Sequence, residues 1–294
     1  MRRAATTVAI AAALLAGCGS EPEERRERSD RLVDLSKDPP LVNSLERDPE
    51  SGEYLLTTNR GFFRVDPDDD RARRVRGTVE AAGKTSAIGT FLELNLDAQG
   101  ELVGSGHPDQ ETLPQFLGLL RSDDGGLRWT VISRLGNADL HKIVFKHDRL
   151  YAWDAVLSAM VISEDGGRTF AERFTPRGLI VDFDVDPADP ERLIAATEDQ
   201  VFRTLDGGET WRPLALIDGA RIAWPAPDAL YLAEADGTVS RSTDGGDRLE
   251  PVGKVDGVPA VLDPDAEALD LALDDGTILR SGDGGATWEE EFRP

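Results

Sequence analysis

Arg203-Thr-Leu-Asp-Gly-Gly-Glu-Thr-Trp211 and Arg280-Ser-Gly-Asp-Gly-Gly-Ala-Thr-Trp288 are two copies of one phrase. Three further copies read Arg121-Ser-Asp-Asp-Gly-Gly-Leu-Arg-Trp129, Ile162-Ser-Glu-Asp-Gly-Gly-Arg-Thr-Phe170 and Arg241-Ser-Thr-Asp-Gly-Gly-Asp-Arg-Leu249. Their aspartates, Asp124, Asp165, Asp206, Asp244 and Asp283, stand 41, 41, 38 and 39 residues apart. A fixed period near 40 marks a chain that stacks copies of one small unit, and this period matches a four-stranded blade. The local chemistry agrees. An apolar run precedes the phrase (Leu117 to Leu120, Met160 to Ile162, Thr277 to Leu279). Asp-Gly-Gly then turns the chain, because glycine reaches positive φ without a steric penalty. The aspartate can accept hydrogen bonds from turn amides, and the aromatic residue opens the next strand. The copy ending in Leu249 lacks both Thr and Trp and reads as degenerate.

Between the phrases the same plan recurs. Leu179 to Pro187 alternates as a strand does, followed by Leu193 to Thr197 and Gln200 to Arg203. Leu41 to Pro49, Tyr54 to Thr58 and Gly61 to Val65 repeat it without a good aspartate turn. The expectation is an all-β chain whose residues 41–294 form a single β-propeller of six four-stranded blades, or seven if 78–120 holds extra strands. The last blade, Val258 to Phe292, looks complete, so ring closure needs no borrowed strand.

The first residues read as an address. Met1-Arg2-Arg3 is basic, and Ala4 to Leu15 is apolar but too short to span a bilayer. Leu15-Ala16-Gly17-Cys18 follows, and it resembles the lipobox of bacterial lipoproteins. The resemblance implies cleavage after residue 17 and a lipid on the sulfur of Cys18. Residues 1–17 are then a lipoprotein signal peptide and 18–40 a polar, charge-mixed tether. The destination is the outer face of the cell membrane, or the periplasm or outer membrane in a cell with two membranes. Cys18 is the one cysteine, so no intramolecular disulfide supports the fold.

The repeated phrase is similar to the Asp-box, or BNR repeat, of sialidases, sortilin-type receptors and photosystem II assembly propellers. There it lies between the third and fourth strands of a blade, at the rim. The resemblance therefore implies a structural role for the five aspartates and for Trp129, Phe170, Trp211 and Trp288. A closer likeness is carried by Gly104-Ser-Gly-His-Pro108, Leu113 to Ser122, Gly136-Asn-Ala-Asp-Leu-His141 and Tyr151-Ala-Trp-Asp154. This run resembles a group of exported bacterial propellers often labelled glycosylhydrolase, over roughly residues 40–294. His107 and His141 match two of that group's histidine positions. Its usual His-Ile-His-Gly-Leu opening is replaced here by Leu41-Val-Asn-Ser-Leu45, so both of those histidines are missing.

The formal charge is −23. Such a surface repels phosphate backbones and anionic lipid heads, which excludes nucleic-acid binding, and it suits a cationic partner. No sialidase Arg-Ile-Pro motif, P-loop, dinucleotide fingerprint, nucleophile elbow or cysteine zinc set is present. His107 and His141, with Asp109, Glu111 and Asp154, are the candidate set for a polar ligand or a divalent cation. No organic cofactor is expected. Trp153 and Trp224 are either sugar platforms or blade packing. Asp182, Asp184 and Asp186 alternate on one strand and so face one side. If that side is the channel, the like charges need a cation or raised pKa values; the expectation is instead a register break near Asp186-Pro187 that sends some of them to solvent. The functional expectation is a monomeric, membrane-anchored propeller that binds or scaffolds a protein, peptide or glycan. The alternative is a surface glycoside hydrolase whose two carboxylates the sequence does not nominate.

Overall fold

A computed structural model describes residues 31–32, 41–68, 71–265 and 267–294. Cys18, the signal segment and most of the tether lie outside the described residues. The described chain is strand and turn throughout, and no helix in it is long and apolar enough to cross a membrane.

Six sheets follow one another along the chain. The first contains Val42–Arg47, Tyr54–Thr58, Gly61–Asp66 and Arg71–Val75 in chain order, and Arg31–Leu32 adds a fifth strand beside Arg71–Val75. The third to sixth sheets have four antiparallel strands each, again in chain order. Their innermost strands are Leu140–Lys146, Asp182–Asp186, Arg221–Ala226 and Pro259–Pro264. Inner strands touch in sequence round the ring, and Pro259–Pro264 packs against Val42–Arg47 to close it. Each of these sheets is one continuous stretch, apart from the Arg31–Leu32 addition.

The second sheet departs from the expected plan. Lys84–Leu96 is one long strand. Its first part pairs with Thr78–Ala81 and the rest with Leu102–Pro108, across register shifts at 88/90 and 91/93. The bend swings Thr78–Ala81 round to lie parallel to Arg128–Ser133, and the five strands close on themselves. The structure thus has five open blades, not six regular ones, and a closed sheet stands where another blade was expected. Apolar filling explains the closure. Val79, Phe91, Leu102, Leu120 and Trp129 share one core, with Phe91 and Trp129 ring centroids 5.1 Å apart. Gly77 makes the closure fit, since a Cβ there would lie 2.7 Å from Trp129 Nε1.

The five Asp-Gly-Gly hairpins share one geometry. Both glycines of each pair have positive φ, from Gly125 and Gly126 to Gly284 and Gly285. The hydroxyl two residues before the aspartate donates to it, as Ser281 Oγ does to Asp283 Oδ1 at 2.9 Å, and accepts from the second glycine's amide. Where Thr is present its amide and hydroxyl both donate to the carboxylate, as Thr210 does to Asp206 at 2.8 and 2.6 Å. The threonine bonds, with Ser163, Thr204 and Ser281, pull Asp165, Asp206 and Asp283 down to about 2. In the degenerate copy, the Arg248 amide and Ser242 lower Asp244 without a threonine.

Ring closure rests on one apolar cluster and one polar latch. Tyr54, Leu56 and Phe63 of the first sheet pack with Val261, Ile278 and Phe292 of the sixth. Burying each such side chain contributes roughly 1.5–3 kcal/mol. Tyr54 Oη donates to the fully buried Asp270 at 2.9 Å, and Arg280 holds the same carboxylate at 2.8 and 2.6 Å.

Candidate functional site

His107 is next to last on the strand Leu102–Pro108, and His141 is second on the inner strand Leu140–Lys146. Both converge on Asp139, with His107 Nε2 3.0 Å from Oδ1 and His141 Nε2 3.2 Å from Oδ2. Phe116 meets the His107 ring edge-on at 5.7 Å. Burial pushes the Asp139 carboxyl up, but hydrogen bonds from the two histidines outweigh it and hold the group well below its usual range. Asp139 itself is held by backbone: its amide donates to Asp154 Oδ1 and its carbonyl accepts from Ala155.

The rest of the predicted set falls away from this cluster. Asp154 is fully buried. It accepts from the Asp139 and Val156 amides and pairs with Arg134 at 3.1 Å, so it braces the site and cannot meet a ligand. Trp153 is 5% exposed and packs with Tyr151, Met160 and Phe183 between sheets, which corrects the sugar-platform reading. Trp224, 0% exposed, is likewise core. Asp109 and Glu111 are exposed on the loop after His107, where the Asp109 amide bonds the Ala87 carbonyl. Among the described residues, no group of three or more His, Cys, Asp or Glu side chains is arranged to hold a metal ion.

An expected outcome follows for Asp139→Asn. The carboxylate's contribution is present above the ordinary carboxyl pKa and is lost as pH falls toward the depressed value, because protons then bind the unfolded chain first. The variant should cost about 1–3 kcal/mol in urea unfolding at pH 7, the toll of a lost charged hydrogen-bond acceptor. That cost should shrink on acidification. A pH-independent difference would contradict this reading.

The hub of the ring is polar, which the sequence did not show. Asp182, Asp184 and Asp186 are all buried, at 3%, 6% and 2% exposure, so the expected escape to solvent does not occur. The reason is that the first two bind the neighbouring sheet. Asp182 Oδ2 accepts from the Ile222 amide at 2.9 Å and Asp184 Oδ2 from the Trp224 amide at 2.7 Å. Their other oxygens pair with Lys142 at 3.3 Å and Lys146 at 2.7 Å. Lys146 also donates to the Val185 and Trp224 carbonyls. Asp186 pairs with Arg192. Glu46, Glu93 and Asp263 complete the hub. Burial pushes Glu46 up to about 7 and Glu93 up to about 8, and burial with the Glu46 charge raises Asp263. Lys142 stays charged: burial opposes this, but Asp182, Glu93, Asp184 and Asp263 together outweigh it.

Glu46 and Asp263 open into a pocket of about 770 Å³ on the side of the first-to-second-strand turns. Its wall also includes Asp48, Glu50, Asp97 and Asp265, with Arg47 and Arg64 for the opposite charge, and holds no aromatic residue. One signal could have found the hub. Only 5 of 33 basic residues are lysine, and two of those, Lys142 and Lys146, lie at even spacing on one strand. Compact ammonium groups there suit a narrow channel better than guanidinium forks.

No family model matches the chain. Over 139 residues it is 29% identical to the dispase autolysis-inducing protein of Streptomyces mobaraensis, which is 47% of this chain and 33% of that protein. The match thus spans about a third of that relative's length. Among solved structures, the WD40 propeller domain of Doa1 superposes with a TM-score of 0.60 at 8% identity, over 90% of this chain and 86% of that one. A gluconolactonase from Xanthomonas campestris gives 0.58 at 13% identity, over 85% and 89%. A xyloglucanase from the same organism gives 0.54 at 19% identity, over 86% of this chain and 38% of that enzyme. The chain is a β-propeller. At these identities the likeness speaks for the fold alone, since one fold hosts many functions.

Proposed function

We infer that this chain is an exported propeller, held at the membrane through Cys18, that binds a protein or peptide partner and carries out no reaction on it. One observation carries the reading: the tryptophans that would stack on sugar rings, Trp153 and Trp224, are both buried in blade packing. Hub chemistry supports it. Lys142 and Lys146 are committed to partners inside the ring. The Streptomyces relative is named for inducing autolysis of dispase, an effect on another protein, which agrees with a protein partner. A glycan hydrolase is the second reading. It draws on Glu46 and Glu93, carboxyls raised towards neutrality as a general acid requires.

The test is a glycoside panel presented to the exported chain carrying Cys18→Ala, with Glu93→Gln alongside. The expected result is no turnover above buffer for either protein. Turnover that disappears in Glu93→Gln would install the hydrolase instead. Cell fractionation checks the anchor: the parent chain should sediment with membranes, and Cys18→Ala should be released.

A further inference from the structure

We propose that the connection side of the ring is a docking surface for a protein partner presenting apolar side chains among lysine or arginine. This deepens the binding reading above and rests on it.

Topology defines the side. In a four-stranded antiparallel sheet laid down in chain order, the second-to-third-strand turn and the link to the next sheet leave on one side of the ring. The other two turns leave on the opposite side. Four of the six innermost strands are entered through an exposed aliphatic residue. Leu41 directly precedes Val42–Arg47, Leu179 leads into Asp182–Asp186, Leu216 into Arg221–Ala226, and Val258 into Pro259–Pro264. Their exposures are 69%, 64%, 82% and 44%. Leu41, Leu179 and Val258 lie within three residues of the start of an innermost strand, whereas Leu216 directly follows the outermost strand Arg212–Ala215 and stands nearer the outer edge. Scattered exposed leucines need no explanation, but with Val156, Leu157 and Phe174 this side carries seven of the nine exposed large hydrophobic residues among those described. The first-to-second-strand turns on the opposite side carry no exposed large hydrophobic residue among those described. His107, Asp139 and His141 lie on the same side, at the boundary of the second and third sheets.

Charge selects the occupant. On this side the turns and links 59–60, 76–77, 109–118, 134–139, 155–158, 174–181, 197–200, 216–220, 234–237, 255–258 and 274–277 contain eleven carboxylates and four basic residues, Arg60, Arg76, Arg134 and Arg177. Exposed apolar side chains set among charged ones suit a protein interface, and these carboxylates ask for cations opposite. A second copy of this chain would bring −23 against −23, and an anionic lipid surface would be repelled in the same way.

The probe is a short alternating Leu/Lys peptide, titrated by calorimetry into the exported chain carrying Cys18→Ala. An all-lysine peptide of equal length and a Leu/Glu peptide are the comparisons. The Leu/Lys peptide is expected to bind more tightly than either. A Leu179→Glu/Leu216→Glu variant should lose at least about tenfold in affinity, the loss expected when a leucine's burial is forfeited. Leu127→Glu/Leu205→Glu, which alters exposed leucines of the Asp-Gly-Gly hairpins, should bind as the parent does. Circular dichroism of each variant confirms folding, and hydrogen exchange should show protection at 174–181, 216–220 and 255–258. Equal binding of the all-lysine peptide would overturn the proposal, as would an unchanged Leu179→Glu/Leu216→Glu variant. Protection confined to the acidic pocket at Glu46 and Asp263 would also overturn it, while leaving the binding function standing. A concentration-dependent dimer dissolved by Leu216→Glu would assign the surface to self-association and overturn it too.

Discussion

Lys142→Met should lower stability by about 3–5 kcal/mol in urea unfolding at pH 7, the usual cost of leaving a buried charge without its partner. Methionine keeps most of the apolar stem and removes only the ammonium group. Without it, Asp182 loses its 3.3 Å ion pair, and Glu93 and Asp263 lose a cation that offsets their burial. The deficit should narrow modestly at pH 5, where Glu46, which titrates near 7, carries its proton and needs less compensation. Lys254→Met is the comparison, because Lys254 pairs with Asp236 on the surface, where exposed pairs contribute about 0–1 kcal/mol. Equal effects from the two substitutions would show that the hub does not depend on Lys142.

Glu93→Gln should stabilise the protein at pH 8 and leave it unchanged at pH 4. Glu93 has its folded pKa raised from 4.5 to about 8. Between those values the folded chain binds the proton that the unfolded chain has released, so stability falls as pH rises through the window. Below the window both states are protonated and the group is neutral to folding. Glutamine retains the shape and the hydrogen bond from Asn95, 3.1 Å in the parent, and cannot ionise. The shift places an upper bound of about 5 kcal/mol on the gain, and thermal unfolding across pH 4–9 measures it. A parent protein with flat stability between pH 5 and 8 would refute the assignment.

Much of the architecture was legible because its cause is local. Asp-Gly-Gly sets a turn through two residues that accept positive φ, and the aspartate completes it with amides three and four residues on, as Asp283 does with Ala286 and Thr287. No distant part of the chain is needed, so the motif and its period are readable. The closed second sheet was not readable. It depends on a bend in Lys84–Leu96 and on Thr78–Ala81 reaching Arg128–Ser133, some fifty residues away. No local signal marks that pairing.

The candidate site divides the same way. His107 and His141 stood out by rarity, three histidines in the whole chain. Their common partner Asp139 did not, being one carboxylate among 56. Asp154 and Trp153, adjacent to each other, looked like ligand contacts, yet they face the braced interior. Whether a side chain on a strand meets solvent, a neighbouring sheet or the channel depends on which sheet packs beside it.

By itself, then, the sequence determined the all-β class, the repeat length, the hairpin chemistry and the acidic character of the surface. Each follows from interactions within a few residues or from composition. Tertiary structure alone decided the closed second sheet, the hub in which two lysines lie among carboxyls of several sheets, and the gathering of exposed apolar side chains on one side of the ring. The hub and the closed sheet join residues 38 or more positions apart, and such contacts exist only after the sheets have assembled round a shared axis.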